Sequence, residues 1–267
     1  MHKIAPVVIA LALLALATSA FAQSPTARYA GMGNVGIAAS DDAGAIGFNP
    51  ANLASLSMPA GTVEKPWSGQ LIGTVQLAGD GSLWGLNGAA YDSANRQGIG
   101  AGFGHQGSPF DVNAFAIGYG AALKNTGLNW GLSLSNDDNT MINLGLQYNL
   151  PMTEAAPIKL GFVAADLFNA SNDGPFYSVG AAFQAGKQLL IGADWLDVSD
   201  VSTINVGAEY TLDNAFTLRA GGTNLDDSGR LTLGAGYKAE AYKADLSWVD
   251  GKNGADDQVM ISVGADF

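Results

Sequence analysis

Hydrophobic residues recur at every second position in this chain, segment after segment, from about residue 69 to the end. Leu128, Trp130, Leu132 and Leu134 alternate with Asn129, Gly131, Ser133 and Ser135, and Ile142, Leu144, Leu146 and Tyr148 alternate with Asn143, Gly145, Gln147 and Asn149. Ile204, Val206, Ala208 and Tyr210 repeat the pattern against Asn205, Gly207, Glu209 and Thr211. Successive side chains of a strand point to opposite faces, so each segment has one apolar face and one small or polar face. Strands are predicted at 69–78, 82–91, 97–105, 112–121, 127–135, 139–150, 157–165, 176–184, 187–196, 203–211, 215–222, 230–238, 242–249 and 258–267, with Asp, Asn, Gly, Ser or Pro clusters between them. A tilted strand of about ten residues crosses a bilayer core, and an even strand count is the rule for bacterial barrels. The expected fold is all-β, a transmembrane antiparallel β-barrel of about 14 strands.

A soluble sandwich would also alternate, so the charges decide. The apolar parity of the fourteen segments holds a single charged residue, Lys187 at the first position of its segment, whereas the opposite parity holds Lys159, Asp194, Glu209, Arg219, Lys238, Lys243, Asp245 and Asp266 among many glycines. Small residues make a poor close-packed core but suit a barrel interior that is wet or filled by another segment. Only 13% of the residues are charged, about half the usual share. The greasy face is therefore expected to meet lipid. Trp84, Trp130, Tyr148, Trp195, Tyr210, Tyr237, Tyr242 and Trp248 lie on that parity, many near strand ends, as headgroup-level anchors do. The last strand ends on Phe267, which looks like the terminal aromatic signal of proteins inserted by the outer-membrane assembly machinery.

Twelve Lys and Arg against 24 Asp and Glu give a formal net charge of −12, the wrong sign for a general nucleic-acid binder. The external connections are rich in aspartate, including Asp137, Asp138, Asp226, Asp227, Asp256 and Asp257. These are either solvated turn residues or groups that divalent ions bridge to lipopolysaccharide. Expected partners are outer-membrane lipid and lipopolysaccharide, a hydrophobic small-molecule ligand and, during insertion, the assembly machinery; a monomer is expected.

Lys3, the apolar run Ile4–Ala17 and Ala20-Phe21-Ala22 read as a cleavable signal peptide over 1–22, with export to the outer membrane. Residues 23–58 break the alternation. Ser40-Asp41-Asp42 is suited to cap one turn, and Asn49 followed by Pro50 sets an N-cap and first helical position for Ala51 to Ser55. This stretch is too apolar for a free linker and is expected to fold inward as a plug, with the barrel over 59–267.

Ala27-Arg28-Tyr29-Ala30-Gly31-Met32-Gly33, Ala39-Ser40-Asp41-Asp42-Ala43 and Asn49-Pro50-Ala51-Asn52-Leu53 resemble the N-terminal hatch of the FadL family of outer-membrane hydrophobic-compound transporters, with its PorV-like and TraF-like relatives. The resemblance implies a fourteen-strand barrel with a hatch, passive uptake of a long-chain fatty acid or similar molecule, hatch movement and lateral exit beside a kinked third strand. It places Asp41, Asp42, Asn49, Pro50 and Ala51 in the hatch and makes Gly98, Gly100, Gly102 and Gly104 candidates for the lateral opening. Strand glycines permit a kink, but equally make room for a close backbone. Family transporters are usually much longer, with extended external loops that form a first ligand groove. Here the longest such loop is about ten residues, so that groove is expected to be missing, and a PorV-like docking role or a small porin stand as alternatives.

Inward charges at Asp194, Glu209, Arg219, Lys238, Lys243 and Asp245 are expected to form a cross-strand network holding the hatch, or else to line a small pore. No catalytic site is expected: His105 is the single histidine after the leader, and Ser108 is only its neighbour in a turn. With no cysteine, no metal-ligand cluster and no phosphate loop, no cofactor is expected.

Overall fold

Backbone groups inside a bilayer must pair with each other, which leaves an alternating chain one spanning solution, a sheet closed on itself. The computed structural model describes residues 26–58, 66–79, 82–107, 112–136, 139–150, 157–171, 175–198, 201–212, 215–225, 229–252 and 256–267. The leader over 1–22 lies outside them, as do Ser108, Asp137, Asp138, Asp226 and Asp227. Among the described residues fourteen antiparallel strands close into a barrel. They are β1 (Trp67–Ala78), β2 (Leu83–Asp92), β3 (Gln97–Gln106), β4 (Val112–Ala122), β5 (Leu128–Asn136), β6 (Thr140–Leu150) and β7 (Ile158–Ala165). The second half comprises β8 (Phe176–Ala185), β9 (Leu189–Val198), β10 (Val201–Thr211), β11 (Phe216–Thr223), β12 (Arg230–Ala239), β13 (Tyr242–Val249) and β14 (Gln258–Asp266).

Each strand pairs with its chain neighbours, and β1 pairs with β14 from Gln70↔Asp266 to Ala78↔Val259, with one bulge at Gln76/Ala78. The seam continues through Phe267, whose amide donates to Gly69 O and whose carbonyl accepts from Gly69 N. Both ends of the barrel chain therefore lie at one rim. Tight turns serve that rim: the β8–β9 turn holds Gly186 at φ +61°, with nothing near its missing side chain, so glycine is needed there for the dihedral alone.

The faces are inverted relative to a water-soluble protein. Leu71, Val75, Ile117, Leu132, Leu218 and Leu233 are exposed on the outside, while Gln70, Asn87, Asn129, Gln147, Asn205 and Ser262 are buried on the inside. Trp84, Tyr148, Trp195, Tyr210, Tyr237 and Tyr242 are exposed on the outer face, with Trp130 and Trp248 half-buried there. The strands run a little past the expected ends, which brings Asp92 and Asp197 onto the outer parity at strand termini. Asp92 turns back to accept from the amides of Ala94 and Asn95, so its charge is used within the turn.

The two rims differ in charge. The seven connections away from the chain termini contain twelve Asp and one basic residue, Lys252, whereas the six at the other rim contain three acidic and three basic residues.

Apolar burial is concentrated where the N-terminal segment meets the wall. Ala43, Ile46, Leu53 and Leu56 pack with Ile72, Ala89, Tyr91 and Ala116; Ala27 and Ala30 pack with Val249 and Met260; Val35, Ala38 and Ala39 pack with Ala182.

Candidate functional site

The segment over 26–58 is built from short capped turns. Ala27–Gly31 forms one turn of α-helix, which the capping residues of the sequence do not announce, since Thr26 makes no side-chain cap. Asp42 caps Ala43–Gly47 by accepting from Gly44 N at 2.8 Å, and Asn49 caps Pro50–Ser55 by accepting from Ala51 N at 3.0 Å, with Pro50 opening the turn. Both turns are 3-10 rather than α, in keeping with their single-turn length. Asn49 Nδ2 donates to Ile37 O and to Leu146 O of β6, while Asn52 donates to Ser40 Oγ and accepts from Gln147 of β6 at 2.6 Å.

Strand glycines admit this segment. A Cβ at Gly98 would meet the carbonyl of Leu53, at Gly120 and Gly131 the backbone of Pro50, at Gly161 the carbonyl of Ile37 and at Gly207 the carbonyl of Met32. The obstructing atoms are backbone, so no side-chain rotation relieves them. Gly100 lies against the Leu53 side chain and Gly102 against Ile46 and Asn87. Gly104 pairs with Gly85 and Ala114, and β3 pairs with β2 and β4 through unbroken registers of ten residues each.

Charge joins segment to wall on the other flank. Arg28 reaches Asp41 at 2.5 Å and Asp42 at 3.2 Å within its own segment, and its Nε and Nη2 donate to the two carboxylate oxygens of Glu209 on β10 at 2.9 and 3.0 Å. Glu209 also takes Arg219 of β11 at 2.7 Å, and Arg219 takes Asp245 of β13 at 2.8 Å. Lys243 of β13 reaches Asp42 at 3.2 Å. Burial alone would raise the Asp42 carboxyl, but Lys243, Arg28 and the Gly44 amide together hold it well below the usual carboxylate range. Burial alone would lower Arg28; Asp41 and Glu209 overcome it and raise the guanidinium further, so the charge persists. The Tyr29 phenol, pushed up by burial and then by Asp42, stays neutral and accepts from Asp41 N.

Of the inward charges expected to act together, Glu209, Arg219, Lys243 and Asp245 meet in this cluster. Lys238 is half-exposed and pairs instead with Asp266 at 3.2 Å. Asp194 stands apart: its Oδ2 accepts from the amides of Gly36 and Ile37 at 2.7 and 2.9 Å, so it binds backbone and no cation among the described residues. Arg28 and Gln147 were not singled out in the sequence. The signal for Arg28 was present, since it is the single Lys or Arg between Gln23 and Met58. A cavity of about 490 Å³ adjoins the cluster at the rim of the chain termini, lined by Arg28, Asp42, Glu209, Lys243 and, at its edge, Lys187.

His105 Nδ1 lies 2.9 Å from Asn113 Oδ1 and its ring stacks on Trp84, all on the outer face. Groups of His, Cys, Asp or Glu able to hold a metal are absent among the described residues.

Among the solved structures that resemble this fold are two outer-membrane proteins. The Acinetobacter baumannii outer membrane protein Omp33 superposes with a TM-score of 0.56 at 8% identity, over 75% of this chain and 98% of that one. A deltaS2S3 mutant of the monoaromatic hydrocarbon channel TodX superposes with a TM-score of 0.55 at 13% identity, over 91% of this chain and 98% of that one. At such identities the likeness is one of fold, that of outer-membrane β-barrels. No family model matches the sequence, and no curated protein matches it.

Proposed function

We propose that this chain is an exported outer-membrane barrel in which residues 23–58 form a hatch and residues 59–267 the wall, and that small hydrophobic molecules pass it by diffusion when the hatch shifts. Residues 1–22 are the signal peptide in this reading. Phe267 is the aromatic end recognised at insertion, and the acidic rim faces the lipopolysaccharide.

The Arg28 side chain carries this reading. It draws a backbone-rich segment against Glu209 of the wall through two charge-assisted hydrogen bonds, a geometry that holds the segment in place yet leaves it separable. Asp41, Asp42, Asn49, Pro50 and Ala51 belong to the same seated segment. The hydrocarbon channel among the fold's likenesses supports a conducting role. One observation favours a second reading, a PorV-like docking protein without transport: the longest connection, 166–175, has ten residues and offers little wall for a ligand groove.

Planar-bilayer recording and liposome uptake of an alkyl aromatic separate the readings. A quiet protein that speeds uptake supports the hatch-gated conduit, steady current from the intact chain supports a porin, and silence without uptake supports docking. Deleting residues 26–57 is expected to open a steady current; an unchanged, silent barrel would count against a hatch.

A further inference from the structure

Seating the N-terminal segment leaves a polar cavity of about 490 Å³ beside it, at the rim of the chain termini. That volume falls in the range of about 300–1,000 Å³ typical of small-ligand pockets. Its inner end is firm. On this flank the segment's backbone rests on Gly207, Gly221 and Gly234, Thr232 Oγ1 donates to Gly31 O, and Ala27 N donates to Ser262 Oγ. A ligand would therefore meet walls already in place, which spares the cost of ordering them. The lining divides into groups that are engaged and groups that are not. Arg28, Asp42, Glu209, Arg219, Lys243 and Asp245 are taken up in one another. Lys187 has no carboxylate in reach among the described residues, and the side chains of Gln184, Gln188, Thr211 and Thr217 make no hydrogen bond among them. Asp41 gives Oδ1 to Arg28, while its Oδ2 has no partner among the described residues and the side chain is 24% exposed.

The cavity thus offers one available carboxylate oxygen at its inner end and one available ammonium on the turn at its edge, with two amides and two hydroxyls besides. Its charges balance: Asp41, Asp42, Glu209, Asp245 and Asp266, which holds Lys238, face Arg28, Lys187, Arg219, Lys238 and Lys243. A balanced site favours neither anions nor cations, but it pairs with a molecule that carries both signs. We propose that this cavity binds small peptide zwitterions, with the ligand ammonium on Asp41 Oδ2, its carboxylate on Lys187 and its amide groups among Gln184, Gln188, Thr211 and Thr217. A single amino acid would leave most of the volume to water, whereas a dipeptide or tripeptide holds its two charges apart with an amide between them. The site is separate from any passage of hydrophobic molecules, since it needs no movement of the segment and takes ligands of the opposite polarity.

Alanyl-alanine is titrated into the full chain in detergent micelles and followed by saturation-transfer NMR, beside N-acetyl-alanyl-alanine, which lacks the ammonium, and alanyl-alaninamide, which lacks the carboxylate. The free dipeptide is expected to bind, and each capped form to bind about fivefold more weakly, the scale of a contact to a partly exposed charge. Lys187→Gln should weaken the free dipeptide by as much and leave alanyl-alaninamide unchanged; Asp41→Asn should do the same and leave the N-acetyl form unchanged. Thr217→Trp, which fills the cavity, should abolish binding while heat-modifiable mobility on gels shows the barrel folded. Should that larger side chain prevent folding, Lys187→Gln on its exposed turn carries the test. Free and capped dipeptides binding alike, binding that survives Thr217→Trp, or no binding by the folded chain each overturns the proposal.

Discussion

Arg28 and Asp42 show how one side chain is legible in a sequence and its neighbour is not. The caps at Asp42 and Asn49 follow from spacing, because a short oxygen-bearing side chain before a turn reaches the amide two residues on wherever the turn sits. The bond from Arg28 to Glu209 joins residues 181 apart in sequence and depends on barrel closure, register and height, none of which a local pattern encodes. Removing one partner of a buried pair costs about 3–5 kcal/mol, so Arg28→Ala should unseat the N-terminal segment without dissolving the wall. Faster reaction of a thiol reagent with Ser57→Cys, with the barrel still resistant to unfolding in detergent, is the expected result. Acid should act alike. A carboxyl whose folded value is depressed, as that of Asp42 is, contributes its full stabilisation above the unfolded value near about pH 4 and loses it as pH falls toward the folded one. Conductance recorded from neutral pH down to about pH 3 should rise only in the acid range; a flat profile would show that Asp42 does not secure the N-terminal segment as proposed.

At the scale of elements, all fourteen strands were visible, since strict alternation over about ten residues puts every apolar side chain on one face of a strand and scatters them around a helix. Their ends moved by about two residues, and β9 and β2 gained a terminal aspartate each, because pairing continues until a turn stops it, whatever the parity. The helix at Ala27–Gly31 escaped notice, being one turn long, lacking a capping side chain and bearing no apolar period. The glycines of β3 allowed two sequence readings. Their contacts with Leu53 and Ile46 favour the reading in which they make room for the N-terminal segment, and strand pairing alone does not identify an exit. A branched side chain on the seat should have a large effect. Gly131→Val would collide with the Pro50 backbone, at an overpacking cost of about 1–3 kcal/mol, and should raise channel current while leaving heat-modifiable mobility on gels unchanged.

Over the whole molecule, closure and polarity act together. An outer face of leucines and valines suits the hydrocarbon, the closing seam at Gly69 and Phe267 leaves no free edge, and the interior is left to groups that need partners. Lateral placement of charge was readable once the strands were counted, though which carboxylate faces which cation was not. Salt and ion type should reveal the acidic rim. In a bilayer with a tenfold potassium chloride gradient, the hatch-deleted barrel should reverse at a potential of cation-selective sign, and neutralising Asp250, Asp256 and Asp257 should shift that potential toward zero; an anion-selective reversal would contradict the charge count. With a screening length of about 8 Å in physiological salt, the aspartates that the sequence places in the connections of one rim would act as a shared negative lens. Free fatty acids and other anions would then be thinned out before reaching the threshold, and the barrel would sort arrivals by sign ahead of any contact with its interior.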